Sequence, residues 1–231
     1  LCYTKFVFTQ ELIMKKFFFI FIFSITSIYC FSSNFSNFCD VNFSFSPALL
    51  INNDKNLKSA PSPVVYPISV SFRFPNYSLI SFEPGLSFFY NYYLLDDAIP
   101  RPAEIENRTG TALSFFIDLV ANCSYTINNS HTLELGLGPA FLLRFAMLSN
   151  NVNSSDFGTS GSAENDVKIM NEYFWSDANF LFAKIDFSYL YKFSAYIKAG
   201  PEFKFYIPLG SLFNEQGLNN AMISLGIKIR F

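Results

Sequence analysis

Histidine is the side chain whose ordinary pKa best suits proton transfer near neutrality, and this chain has one, His131. A nucleophilic hydrolase would need a serine and a carboxylate beside it. Its sequence neighbour Ser130 belongs to Asn128-Asn129-Ser130, a run of turn formers, so His131 reads as a turn residue. Asp96-Asp97 offers two adjacent carboxylates for acid/base or cation chemistry, but neighbours on a loop are ordinarily solvated. Asp156, Glu164 and Asp166 lack the spacing of a calcium loop. Cys39 and Cys123 form no CxxC or Cys/His metal pattern. Both fall on apolar strand faces expected not to be neighbours, so a disulfide is not expected. No catalytic residue, cofactor or metal site is expected, and the chain is read as no enzyme.

A larger set of charges is spaced differently. Asp40, Glu83, Asp118, Glu134, Asp186 and Glu202, with Arg73, Arg144, Lys184, Lys198, Lys204, Lys228 and Arg230, all lie on the polar side of alternating segments. Successive side chains of a strand point to opposite faces. In Ala221 to Phe231, Ile223, Leu225, Ile227, Ile229 and Phe231 share one face, and Met222, Ser224, Gly226, Lys228 and Arg230 the other. The same period runs through 39–49, 66–74, 78–94, 111–127, 131–146, 179–191 and 194–208. That makes eight strands. Tight turns are expected at Pro75, Asn128 and Lys192, and longer connections at 50–65, 95–110, 147–178 and 209–218. Within the longest, Ser162 to Trp175 has a helical pattern: Ser162 as cap, Glu164 and Asp166 in the first turn, Val167, Met170 and Phe174 on one face.

Which face points inward follows from volume. The chain of 231 residues is 51% hydrophobic and contains 31 Phe. An eight-stranded barrel encloses room for on the order of a dozen side chains, far fewer than the large apolar residues on the greasy face. A soluble ligand-carrying barrel would have to swallow them. They are expected to face lipid, leaving the thirteen charged residues to line the lumen. Six acids against seven bases nearly balance, as a buried network must. Aromatics gather near both ends of the greasy face, as membrane interfaces favour. Proline recurs mid-strand at Pro84, Pro139 and Pro201, each beside a glycine, and predicts bulges or kinks.

Upstream, Met14-Lys15-Lys16 precedes an apolar run through Ile28. A basic start and a short apolar middle predict an export signal over 14–32, cleaved near Ser32, with 1–13 as an upstream mis-start; acylation at Cys30 is the rival reading. The barrel domain is then 33–231. Its charge, 13 basic and 17 acidic residues after removal of 1–32, has no basic stripe for nucleic acid.

With eight alternating strands, an export signal, connections that alternate in length and terminal Phe231, the chain resembles the small eight-stranded bacterial outer-membrane β-barrels, the OmpA/OmpX/OmpW-like class. The resemblance covers about 35–231 and is one of pattern. It implies an all-β antiparallel up-and-down barrel in outer-membrane lipid, with long loops extracellular. It further implies recognition of the C-terminal strand and Phe231 by barrel assembly machinery. Two roles follow as expectations: a closed anchor that presents loops, with Tyr173, Phe174 and Trp175 as recognition aromatics, or a narrow OmpW-like channel for small or apolar solutes.

Overall fold

The computed structural model describes residues 39–52, 62–75, 79–96, 98–104, 109–214 and 217–231. Residues 14–32, expected as an export signal, and residues 76–78, expected in the first short turn, lie outside them. From Asp40 to Phe231 the chain forms one compact unit, a closed antiparallel barrel of eight staves. Each stave alternates an apolar outer face with an inner face that turns into the barrel, which is the period-two pattern made solid.

The first two staves are interrupted. β1 (Asp40–Phe45) and β2 (Ala48–Leu50) make one; β3 (Val64–Val65) and β4 (Ile68–Arg73) make the next. The breaks fall at Pro47 and Pro67, and the Ser46 amide donates to the Pro67 carbonyl across them (3.2 Å). Proline has no N–H for the ladder, so both staves bend at the same level. The other six are β5 (Ile80–Asp96), β7 (Gly110–Ile127), β8 (His131–Leu148), β9 (Leu181–Lys192), β10 (Lys198–Pro208) and β11 (Met222–Arg230). Closure is made by β1 on β11, from Asn42↔Arg230 to Phe45↔Ile227. Beyond the ladder, the Phe231 amide donates to the Val41 carbonyl (2.9 Å) and the Val41 amide to that of Phe231 (3.1 Å).

At the end of the barrel carrying these termini the connections are short. Asn128 and Asn129 both have positive φ (51° and 57°), the left-handed pair of a tight turn that the Ser130 amide closes by donating to the Ile127 carbonyl (3.3 Å), with three residues between Ile127 and its partner His131. The β9–β10 turn is longer than the sequence suggested. β10 starts at Lys198, not Ser194, because Phe193 and Ser194 donate backbone bonds to the Ile197 carbonyl and close a wider loop.

The opposite end is built up. The expected loop at 95–110 is in part a hairpin: β5 continues to Asp96 and β6 (Ile99–Ala103) pairs back on it, Tyr92↔Ala103 to Asp96↔Ile99. Over 209–218, Leu209–Phe213 forms the short helix α2. In the longest connection α1 (Ala163–Trp175) starts where the capping pattern placed it, with the Asn165 amide donating to Ser162 Oγ (3.3 Å). Asp166, expected as an ordinary first-turn acid, is fully buried. It accepts from the Thr159 amide (3.0 Å), the Ser160 amide (2.8 Å) and Ser160 Oγ, and so folds the preceding loop onto the helix.

Pro84, Pro139 and Pro201 cause no bulge. Each occupies a gap in one ladder: Pro84 toward β4, Pro139 toward β7, Pro201 toward β9. The register is the same on both sides of every gap, so no residue is inserted and none slips. The neighbouring glycine explains how. A Cβ on Gly138 would lie 2.0 Å from the Leu119 carbonyl oxygen, and on Gly200 1.9 Å from that of Tyr189. The carbonyl opposite Pro139 and that opposite Pro201 each lean into the space the glycine leaves, whereas beside Pro84 the nearest atom to a Cβ on Gly85 would be Ser71 Cβ at 3.2 Å.

Candidate functional site

The lumen has tiers, and the lowest is ionic. Glu134, on β8, is its centre. Arg230 holds it bidentately, Nη1 to Oε1 at 2.6 Å and Nη2 to Oε2 at 2.7 Å, the planar fork-to-fork match that favours arginine over lysine. Ser124 Oγ (3.2 Å) and Ser188 Oγ (3.1 Å) donate to the same carboxylate, with Arg73 at 3.8 Å and Lys228 at 3.6 Å. Around it, Arg230 Nε donates to Asn42 Oδ1 (2.7 Å) and Arg73 donates to Ser81 and Ser124, both at 2.8 Å. Asp40 stands 3.7 Å from Arg73 and 3.8 Å from Arg230.

One level up, Lys228 pairs with Glu83 at 2.9 Å and Lys204 with Glu202 at 2.9 Å. Asn122 and Ser71 donate to Glu83, and Ser46 to Glu202. Higher still, Lys184 pairs with Asp118 at 2.7 Å and lies 3.6 Å from Asp186. Gly136 makes room for this layer, since a Cβ there would sit 2.4 Å from Asp186 Oδ1 and 2.3 Å from Asn122 Oδ1. Of the thirteen charges placed inside by sequence, this tier gathers eleven into ion pairs. Lys198 is half-buried at the terminal end of the barrel and makes no ion pair among the described residues.

The second tier was not anticipated. Phe89, Phe116, Phe182 and Tyr206, with Leu50, Val65, Leu142 and Met222, form a buried apolar layer across the barrel above the ions. Tyr206 stacks on Phe116 (centroids 4.1 Å apart) and Phe182 meets Phe116 edge-on (5.2 Å). The Tyr206 hydroxyl donates down to Asp118 Oδ2 (3.2 Å), tying the two tiers together. The signal was present as parity: Phe89 lies two residues past Ser87, Phe116 two past Ser114, Tyr206 two past Lys204. Each is an aromatic on the face assigned to polar groups.

Arg144, the thirteenth charge, stands above the apolar layer and apart from the rest. It is 1% exposed, and no carboxylate pairs with it among the described residues. Its Nη2 donates to the Asn179 carbonyl (2.8 Å), and its guanidinium lies 4.1 Å from the Phe174 ring centroid. A desolvated cation over an aromatic face is worth about 2 kcal/mol. Phe174 also packs edge-on against Tyr93 (5.0 Å).

Phe174 and Met170 thus fix α1 over the mouth, in a cluster with Tyr93, Leu95 and Ala112. Asn171 does the same with polar groups: its Oδ1 accepts from the Ala146 amide (2.9 Å) and its Nδ2 donates to the Ala146 carbonyl (3.0 Å). It stands in for a neighbouring strand on the upper edge of β8 and blunts it. Of the three recognition candidates, Phe174 is spent inside. Tyr173 is half-buried, and Trp175 is exposed beside Phe145 and Phe180.

The residues with enzyme-like chemistry are not brought together. Nδ1 of His131 bonds the Tyr189 hydroxyl at the opposite end of the barrel from Asp96, which lies 3.6 Å from Arg101. Among the described residues no three His, Cys, Asp or Glu side chains group as a metal site.

The outer face carries the remaining apolar residues. Leu225 (68% exposed), Leu137 (62%) and Ile227 (59%) represent a belt of bulky side chains on every stave. Contiguous apolar patches on water-soluble proteins are on the order of a few hundred Å²; a girdle around a whole barrel needs an apolar solvent. No described helix is long and apolar enough to cross a membrane, so the strands are the elements that would.

No family profile and no curated protein matches this chain. Solved structures similar to it include Neisserial surface protein A (9% identity over 84% of this chain and 94% of that one, TM-score 0.48). The attachment invasion locus protein Ail of Yersinia pestis is similar at 9% over 84% and 99%, TM-score 0.43. The outer-membrane enzyme PagL is similar at 12% over 83% and 98%, TM-score 0.42. Likeness this loose transfers no residue or role to the present chain.

Proposed function

We propose that the protein is a closed barrel of the bacterial outer membrane that serves as a structural or surface-binding anchor, carrying its long connections on the extracellular side. The observation that carries this reading is the filled lumen. An ionic tier, an apolar tier and the α1 lid follow one another along the axis, and a water-conducting path would have to cross all three. Residues 14–32 act as the export signal, the barrel occupies 33–231, and outer-membrane lipid is its surroundings. β11 with Phe231, edge-on to Phe43 at 5.9 Å, is the strand offered to the barrel assembly machinery. Binding falls to the outward surface of 147–178, where Trp175 and Tyr173 remain available.

Planar-bilayer recording tests the closed lumen. Absence of discrete conductance steps is the expected result; reproducible small steps would replace this reading with the narrow channel. Sidedness is tested separately on intact cells. An epitope inserted between Ser154 and Ser155 should be stained from outside, and one between Asn128 and Asn129 only after permeabilisation. The reverse pattern would invert the orientation.

A further inference from the structure

Arg144 is a buried cation whose charge the described residues leave unmatched. Arg73, Lys184, Lys204, Lys228 and Arg230 each have a carboxylate within 3.7 Å. Lys198 has none but is only half-buried. Arg144 is buried and has none among the described residues. A guanidinium carries five N–H donors. Arg144 uses Nη2 on the Asn179 carbonyl (2.8 Å) and Nη1 on the Tyr93 hydroxyl, a long bond of 3.4 Å. Its Nε, also buried, has no partner.

Ser114 stands beside it. The two are register partners on β7 and β8, which sets their Cβ atoms roughly 5 Å apart on the inner face. Ser114 is fully buried and its hydroxyl has no partner either. Close by, the buried Asn179 Oδ1 lacks a donor, as does Asn91 Oδ1 on the inner face of β5. Buried polar groups left open in this way ordinarily mark water or an ion.

The space available sets the size of the occupant. On β7 the successive inward residues are Phe116, Ser114 and Ala112; on β8 they are Leu142, Arg144 and Ala146. Phe116 and Leu142 belong to the apolar layer below. Ala112 and Ala146 belong with Met170 and Phe174 in the cluster above. The polar level is therefore one residue deep, two residues or roughly 7 Å of strand from floor to ring and again from ring to roof. That depth suits a single ion with a little water, not a metabolite. Water alone would satisfy the donors but leave the charge without a counter-ion, and an uncompensated buried ion is costly.

We propose that one small monoanion, of halide size, is held by Arg144 Nε and Ser114 Oγ beneath α1, with water linking it to Asn91 and Asn179. Seating Phe174 over the guanidinium strips Arg144 of solvent, so an anion that binds the closed form holds the lid shut by linkage. This goes beyond the anchor reading and is independent of what surrounds the outer face.

The test follows limited proteolysis within 147–178 on the full exported chain in dodecylmaltoside micelles. Sodium gluconate, a monovalent anion too large for the level, is replaced by chloride or bromide at constant ionic strength. Cleavage should slow saturably, by about tenfold once halide reaches ten times its Kd. Arg144→Met should abolish the dependence, and Arg144→Lys, which keeps the charge without Nε, should retain part of it. Ser114→Ala should raise the halide Kd about tenfold, the worth of one such hydrogen bond, and covers the case in which Arg144→Met does not form a barrel. Crystals grown in bromide should give an anomalous peak within hydrogen-bonding distance of both Arg144 Nε and Ser114 Oγ. Equal cleavage in halide and gluconate would overturn the proposal. So would a halide effect unchanged by Arg144→Met and Ser114→Ala, or ordered water alone at that place in the bromide crystals.

Discussion

Glu134 accepts the Arg230 fork and two serine hydroxyls and is the shared neighbour of Arg73 and Lys228. Three buried cations therefore share this carboxylate, and Arg230 has it as its main partner. Glu134→Gln keeps the shape and removes the charge, and should destabilise the barrel by about 3–5 kcal/mol, the cost of breaking a buried pair from one side. Urea unfolding in micelles measures it. Glu164→Gln, on the exposed side of the first turn of α1, should stay within about 0.5 kcal/mol of the parent. The glycines beside the prolines separate in the same way. Gly138→Ala puts a Cβ against the Leu119 carbonyl and should prevent the native register from forming. At Gly85 the nearest atom is Ser71 Cβ at 3.2 Å, so Gly85→Ala should fold with a modest loss. The heat-dependent shift of folded barrels in gel electrophoresis reads both.

At the scale of elements, α1 is held by three devices of different kinds: Met170 and Phe174 in the apolar cluster, Arg144 over the Phe174 ring, and Asn171 bonded to the Ala146 backbone. Phe174→Ala weakens the first and removes the second, and leaves Arg144 buried with its bond to the Asn179 carbonyl (2.8 Å) and a long one to the Tyr93 hydroxyl (3.4 Å). The expected outcome is a lid that opens while the strands persist, since α1 adds nothing to the β1–β11 closure. Limited proteolysis should cut within 147–178 at least tenfold faster, and Trp175 emission should shift to the red. Strand amide exchange below the apolar tier should not change. Much of this element was legible beforehand: the cap at Ser162 and the Met170/Phe174 face come straight from local spacing. The role of Asp166 was not, because burial of a first-turn acid depends on a loop folding back over it. The split staves at Pro47 and Pro67 were missed for a related reason. A single proline reads as a strand end, whereas two prolines facing each other across a hairpin are visible only once the register is known. The β5–β6 hairpin was read as loop because Pro100 and Pro102 disguise a strand that pairs along one edge.

At the scale of the whole molecule, the lumen is filled by two tiers of different chemistry. Alternation predicted the ionic one, since Asp, Glu, Lys and Arg fell on one parity. The apolar tier shares that parity, and was hidden because Phe89, Phe116 and Phe182, aromatics on the face read as polar, were assigned no place in the lumen. Six acids and six bases lie below it and Arg144 alone above, so the layer divides a balanced network from a single cation. Water moving along the axis would meet hydrocarbon first and fixed, mutually neutralised charge next. Phe116→Ser with Tyr206→Ser should therefore wet the upper lumen without opening it. In planar bilayers this double variant should remain silent, although the Asp118–Lys184 layer loses its cover and the Tyr206 hydroxyl–carboxylate bond. Adding Lys204→Ser and Glu202→Ser removes one matched pair and keeps the charge balance, so the barrel should still form. Only that quadruple variant is expected to show conductance steps. Steps in the double variant would mean that the aromatic layer alone seals the barrel, and that the ions beneath it leave a continuous path for water.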